Sequence, residues 1–303
     1  MGCRPARLFA LLQYWLISCA SCLPADGRPE PGSLLLKAEP SEGTRNGFTT
    51  NDGWSIALDR FITALGGVEV DDPEGSENGC ADYSETNYEW LFDFRAVDRA
   101  EKVGLVYGLG QCEVEWRHRG PSPDTRLGTG TSDRDLEEMR VEASDDYVDE
   151  RPTTLRVIGQ AEKNGLTMRF DWSFRAGFRV SECESLPSNE AGLVSRVTLS
   201  ADVEQTMTVE VRAEELFRST TEEEAPFLFD GIAAADLDQD GAITLEELAL
   251  VPAPPQPEPT DPEQTEVPVE SMSDLIYERL LPRVTRISGG GACTTERRGG
   301  PRN

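Results

Sequence analysis

Histidine is almost absent: His118 is the only one in 303 residues. That removes most imidazole-based metal centres and most Ser–His or Cys–His nucleophile pairs. Basic residues are also scarce, 29 Lys and Arg against 56 Asp and Glu, for a net charge of −27. A chain of that sign repels phosphate backbones, which excludes nucleic acid as a partner. Only 38% of residues are hydrophobic, too few for a polytopic membrane protein. The length suffices for one or two domains with a sizeable core.

The N-terminus points to a compartment. Residues 1–7 carry Arg4 and Arg7 and no acid, and residues 8–18 (LFALLQYWLIS) are apolar apart from Gln13 and Ser18. This run is short for a membrane span and has the length of a signal-peptide core. It ends in Leu16-Ile17-Ser18-Cys19, which resembles the bacterial lipobox. The resemblance implies that Cys19 carries a diacylglycerol and becomes the mature N-terminus. Ala20, rather than Asp, follows it, which in such proteins favours the outer membrane. The alternatives are a secretory signal cut near Ala20 or Ala25 and a retained anchor. All three place the protein outside the cytoplasm: an outer-membrane lipoprotein, or a periplasmic or extracellular protein. Ala6 breaks the N-myristoylation pattern. Removal of residues 1–18 takes away two arginines and moves the net charge from −27 to −29, which attracts divalent cations without defining a site.

Seven cysteines are present. With Cys3 cleaved, Cys19 lipidated and Cys22 in a tether, four remain: Cys80, Cys112, Cys183 and Cys293. They suit two disulfides in an oxidising compartment, with three possible connectivities that the sequence does not separate. We expect Cys80–Cys112 and Cys183–Cys293, the second stapling the tail to the body.

After a signal peptide (1–18), residues 19–48 are rich in Pro, Gly, Glu and Ser and read as a flexible tether. A β domain follows over residues 49–222. Trp54–Leu58 fits either a strand or a helical face; Gly66-Gly67 and Val68–Val70 after it favour a strand in a hairpin. Tyr88–Phe94, Val103–Tyr107 and Cys112–His118 read as strands, the last with Cys112, Val114, Trp116 and His118 on one face. Ser132 or Asp133 caps a short helix near Asp135–Arg140. Leu155–Phe174 is a hairpin turning at Asn164-Gly165. Leu193–Ala201 and Thr206–Arg212 add two strands. At least seven short strands without a βαβ pattern predict an antiparallel β-sandwich. A short helical region (223–251), a Pro/Glu-rich linker (252–270) and a C-terminal helix with its tail (271–303) complete the chain. That helix is expected over Ser271–Ile287, with a kink at Pro282.

One string carries recognisable chemistry: Asp236-Leu-Asp238-Gln-Asp240-Gly241-Ala242-Ile243-Thr244-Leu-Glu-Glu247. It resembles the EF-hand calcium loop, over 12 residues and roughly 30 with its flanks. Ca²⁺ needs six to eight hard oxygen ligands. The resemblance assigns Asp236, Asp238 and Asp240 as side-chain ligands, Ala242 as a carbonyl ligand, Thr244 as a direct or water-bridged ligand, and Glu247 as the two-oxygen clamp. Gly241 supplies the sharp turn. Phe227–Ala235 reads as the incoming helix, packed through Phe229 and Ile232, and Leu245–Val251 as a short outgoing one. No second loop is present to pair with it; Asp71-Asp72 and Asp145-Asp146 lack the spacing. A lone loop points to a structural or stabilising calcium site rather than a sensor.

Other candidates have plainer readings. His118 shares an apolar face and reads as a core residue, with copper or zinc ligation as the alternative. The short strands, the acidic loop at 71–87, Cys112 after Gly108-Leu109-Gly110, and the hairpin Gly159-x-Ala161…Asn164-Gly165…Phe170 together resemble MbnP-type periplasmic copper-binding domains. That resemblance implies a sandwich holding metal through histidine and a modified tryptophan; with one histidine, no residue is carried over. Trp54, Trp90, Trp116 and Trp172 read as core, with a carbohydrate-stacking surface as the alternative. Among 56 acids no pair is singled out for a hydrolase, so the expectation is no enzyme. The reading is a calcium-binding envelope lipoprotein, its partners a calcium ion and a membrane reached through its lipid, with any protein or carbohydrate ligand of the β domain left open. The alternatives are a copper-binding protein and a secreted hydrolase.

Overall fold

From Gly32 onward, alternating apolar and polar side chains fold as strands. The computed structural model describes residues 29–73, 79–141, 151–186, 192–256 and 268–298. The signal segment, Cys19, Cys22, Asp145-Asp146 and most of the Pro/Glu-rich linker lie outside the described residues. The body of the fold is the unit Pro31–Asn303.

Its elements are β1 (Gly32–Pro40), α1 (Glu42–Asn46), β2 (Phe48–Thr49), β3 (Ser55–Asp71), β4 (Cys80–Asp82), β5 (Glu89–Asp93), β6 (Glu101–His118), β7 (Arg126–Leu127) and α2 (Asp133–Arg140). Then come β8 (Leu155–Lys163), β9 (Leu166–Phe174), β10 (Gly177–Ser181), β11 (Arg196–Leu199), β12 (Glu204–Val211), α3 (Asp230–Ala233), β13 (Ala242–Ile243), α4 (Leu245–Leu248), α5 (Met272–Asp274), β14 (Thr285–Ile287) and β15 (Thr294–Arg298).

The strands form one hydrogen-bonded sheet whose main path runs β13-β9-β8-β3-β6-β1-β12-β14. It is mixed, because β1 with β12, β5 with β7 and β9 with β13 are parallel pairs. The fold is mainly β, as expected, but it is a curled half-barrel rather than an antiparallel sandwich. The reason lies in β3 and β6, of 17 and 18 residues. Register shifts interrupt β3 between Leu58 and Arg60 and between Gly66 and Glu69. Each shift bends the strand and increases its twist, so the sheet wraps its own core without dividing into two layers. Gly66-Gly67, expected to turn a hairpin, is instead the second of these irregularities, with Gly67 at φ +54.

The expected tether ends early. Leu34, Leu36 and Ala38 of β1 are buried, and β1 lies between β6 and β12. Residues 32–40 therefore form an interior strand. The core continues through Phe61, Trp116, Trp172, Phe174, Phe217 and Phe229. Phe170 stacks on Trp172 at 4.8 Å between ring centroids.

The β8–β9 hairpin turns at Asn164 (φ 53) and Gly165 (φ 82), as its Asn-Gly pair requires. Ser132 caps α2, with Asp135 reaching back to the Ser132 amide. The C-terminal helical segment starts at a second such cap, Ser271 with Asp274, and continues as wide π turns over Leu275–Leu280 and a 3₁₀ turn over Leu281–Arg283. The expected helix to Ile287 stops short there: Pro282 lacks an N–H, and Thr285–Ile287 pairs with β12 as β14. Disulfides join Cys80 to Cys112 and Cys183 to Cys293. Among the described residues no helix is long and apolar enough to cross a membrane.

Candidate metal centre

The segment 236–247 is built onto the edge of the sheet. Its approach is α3, a single turn rather than the longer helix expected from Phe227 to Ala235. The amides of Phe229 and Asp230 donate to Asp52 Oδ2, at 2.8 and 2.7 Å, so a residue from the β2–β3 turn caps α3. Asp230 accepts from Lys163 Nζ and from Trp54 Nε1, both at 2.7 Å, and these bonds hold its carboxyl below the usual range, the lysine contributing most. Phe229, Ile232 and Ala235 are buried beneath the turn.

The chain then coils tightly. Gln239 (φ 63) and Gly241 (φ 77) both adopt left-handed backbone. Asp240 N donates to Asp238 Oδ1 (3.2 Å), Gly241 N to Asp236 Oδ2 (3.2 Å) and Ala242 N to Asp240 Oδ1 (2.7 Å). The result brings one carboxylate oxygen each from Asp236, Asp238 and Asp240 within 4.8 Å of one another. Asp236 Oδ1 is buried and accepts no hydrogen bond. Leaving such an atom unsatisfied costs roughly 1–3 kcal/mol or more for a charged group.

Beyond the acids, Ala242 and Ile243 form β13, parallel to β9 at Arg169 and Phe170. Arg169 N donates to Gly241 O and Trp172 Nε1 to Ile243 O, both at 2.8 Å. Thr244 caps α4, with Glu247 as its reciprocal partner. Glu247 Oε2 accepts from Thr244 N and Oγ1, both at 3.0 Å, and Glu247 Oε1 accepts from Leu237 N at 3.2 Å. Glu247 thus bridges the two ends of the segment, its Oε1 bonded to the amide next to Asp236, and it is not one of the three carboxylates that converge within 4.8 Å. Sequence reasoning found the acids but missed Asp52 and Trp172, which anchor the segment from distant strands. No local spacing signals either role.

A second acidic group, Glu69, Asp71 and Glu115, also converges. It is threaded by arginines: Arg117 bonds Glu69, and Arg179 bonds Glu115 and, at 3.1 Å, Asp71. Burial first, and the neighbouring Glu69, hold the Glu115 carboxyl up at about 7 despite Arg179. This is an ion-paired surface with its own cations. The alternation of Glu113, Glu115 and Arg117 along β6 was the available sign of it.

His118 is 4% exposed, in the core. Thr63 Oγ1 donates to Thr154 O (3.0 Å), so its oxygen accepts from His118 Nδ1 (3.2 Å). On the other side, Trp116 Nε1 donates to Thr285 Oγ1 (3.3 Å), which donates in turn to His118 Nε2 (2.8 Å). Both ring nitrogens are engaged, and among the described residues His118 joins neither convergent acidic group. Trp54, Trp116 and Trp172 are buried as well, so they present no stacking surface. Trp90 is partly buried beside Tyr88, and the Arg126 guanidinium lies 3.9 Å from the Tyr88 ring centroid.

The fold and this site define a disulfide-bonded, mainly β protein with an aspartate-rich loop docked on its sheet edge. No protein-family model and no curated protein matches the chain. Among solved structures it is similar to MbnP from Methylosinus trichosporium, at 11% identity over 68% of this chain and 89% of that one, with a TM-score of 0.28. A TM-score that low supports no argument from one molecule to the other.

Proposed function

We propose that this is a calcium-binding protein of the cell envelope, in which one Ca²⁺ at 236–247 fixes the loop to the sheet. The observation that carries this reading is the convergence of three aspartate carboxylates, one of which, Asp236, has a buried Oδ1 that accepts no hydrogen bond. A hard cation supplies the positive charge that this arrangement lacks, and oxygen-only donors suit calcium. Asp236, Asp238 and Asp240 would hold it by side chains and Ala242 by its carbonyl, with Thr244 and Glu247 completing the set. In an EF-hand pair, the short strand between the acids and the clamp pairs with a second loop. Here β9 takes that place, which accounts for a single loop. The role is therefore stabilising, and the partner surface of the β domain is unassigned. Attachment through a lipid on Cys19, at the outer membrane, belongs to the same reading. It is tested separately by labelled-palmitate incorporation, where absence of label on Cys19 removes the anchor.

Thermal unfolding in EDTA and across a calcium series tests the ion. Calcium at about 100 times its dissociation constant should add about 2.7 kcal/mol. Asp236→Asn should abolish the rise. An unchanged melting temperature in millimolar calcium, with no bound ion detected by mass spectrometry, overturns the proposal.

A further inference from the structure

A cavity of about 200 Å³ opens between the 3₁₀ turn Ala213–Phe217, α3 and the C-terminal helical segment. Leu216, Ile232, Ile276 and Leu280 form its walls, and the half-exposed Leu228 stands at its rim. One cation lies on its lining, Arg218, and that charge is already matched: its guanidinium pairs with Glu215 and donates to the carbonyls of Glu223 and Ala225, at 2.6 and 2.8 Å. Ser219 provides the single hydroxyl among the lining residues.

We infer that this cavity is a binding site for a small uncharged molecule, one aromatic ring or a short alkyl chain bearing at most one hydroxyl. Three features carry the assignment. The walls are apolar, so the hydrophobic effect favours an apolar occupant. Among the described residues, the only ionic group on the lining, Arg218, is neutralised within the protein, so a charged ligand would be desolvated without a partner. The volume exceeds the roughly 150 Å³ of an apolar cavity known to stay dry and admit benzene, and it falls short of the roughly 300 Å³ at which drug-sized pockets begin. Its lining includes none of the aspartates of the 236–247 segment, although α3, which leads into that segment, contributes Gly231 and Ile232.

The test uses the full chain with ¹³C-methyl methionine. Met272 lines the cavity, whereas Met139, Met168 and Met207 lie elsewhere and serve as internal references. Phenol and 1-hexanol are titrated, with hexanoate and hexylammonium as charged counterparts. The expected result is a saturable shift of the Met272 methyl alone, produced by the neutral probes and absent with the ions. Leu228→Trp, at an exposed position, should block the mouth and weaken binding at least about tenfold. Gly231→Ala is a second, milder block, because its new Cβ would sit 3.0 Å from Met272 Cε and displace that methyl. The inference is overturned if Met272 does not respond, if all methionines drift together without saturation, if the ions bind as well as the neutral probes, or if both variants bind like the parent.

Discussion

Acidification from pH 6.5 to 4 should cost this fold about 3 kcal/mol through one residue. Burial lowers the His118 pKa from 6.5 to about 4. The hydrogen bonds explain why neutrality is preferred: the Thr285 hydroxyl donates to Nε2, so a proton placed there would have to reverse that donor. Below pH 6.5 the unfolded chain takes up a proton on His118 that the native state refuses. The unfolded state then binds more protons, so stability falls with falling pH across this window and the loss is complete near pH 4. The fall from 6.5 to about 4, at 1.36 kcal/mol per pH unit, gives the figure above. Other groups titrate in the same range, so the measurement is a difference. Urea unfolding is followed from pH 7.5 to 4 for the parent and for His118→Gln, whose amide can hold both threonines without titrating. The variant is less stable at pH 7.5 but should gain on the parent as pH falls. Parallel stability curves would refute the reasoning, as would an imidazole found by NMR to be protonated in the native state at pH 5.5.

Glu115 should act in the opposite sense. Its carboxyl is held at about 7, so the native state keeps a proton that the unfolded chain loses above its ordinary pKa of 4.5. The cost of ionising it is relieved as pH falls through that interval, so Glu115→Gln should raise the melting temperature more at pH 8 than at pH 4.5. Asp52→Ala removes the acceptor that caps α3; a loss of about 1 kcal/mol in thermal unfolding and weaker calcium binding by calorimetry are expected together. Cys183→Ser with Cys293→Ser opens a loop of sequence separation 110, and denaturant unfolding should show a loss of about 4 kcal/mol or less.

Local signals were legible in the sequence where a few adjacent residues decide the geometry. Asn164-Gly165 sets its hairpin because both positions need left-handed backbone. Ser132 with Asp135 caps a helix, and three aspartates at alternate positions with Gly241 behind them curl a loop. Longer-range features were not legible. The β1 alternation of Leu34, Leu36 and Ala38 lies beside Pro31 and Pro40, and the Pro- and Gly-rich context masks it. Gly66-Gly67 suits a turn as well as a bulge; what decides is whether β6 runs far enough to pair on both sides of it, as it does through Arg117 and Glu115. That distinction separates a sandwich from a single curled sheet. The environment of His118 likewise depends on Thr63 and Thr285, which belong to different strands.

The placement of β1 also governs when the molecule can fold. Ser33 pairs with Tyr107 on one side and with Glu204 on the other. A chain emerging N-terminus first presents Leu34 and Leu36 before either neighbour exists, and Glu204 lies 171 residues beyond Ser33. Contacts that distant form slowly, which delays closure of the sheet around β1. The same delay makes shortened products hazardous. A chain halted before β12 leaves one side of an apolar strand without its hydrogen-bonding partner, an edge prone to capture a second copy. Premature termination should therefore yield aggregates rather than a smaller folded protein.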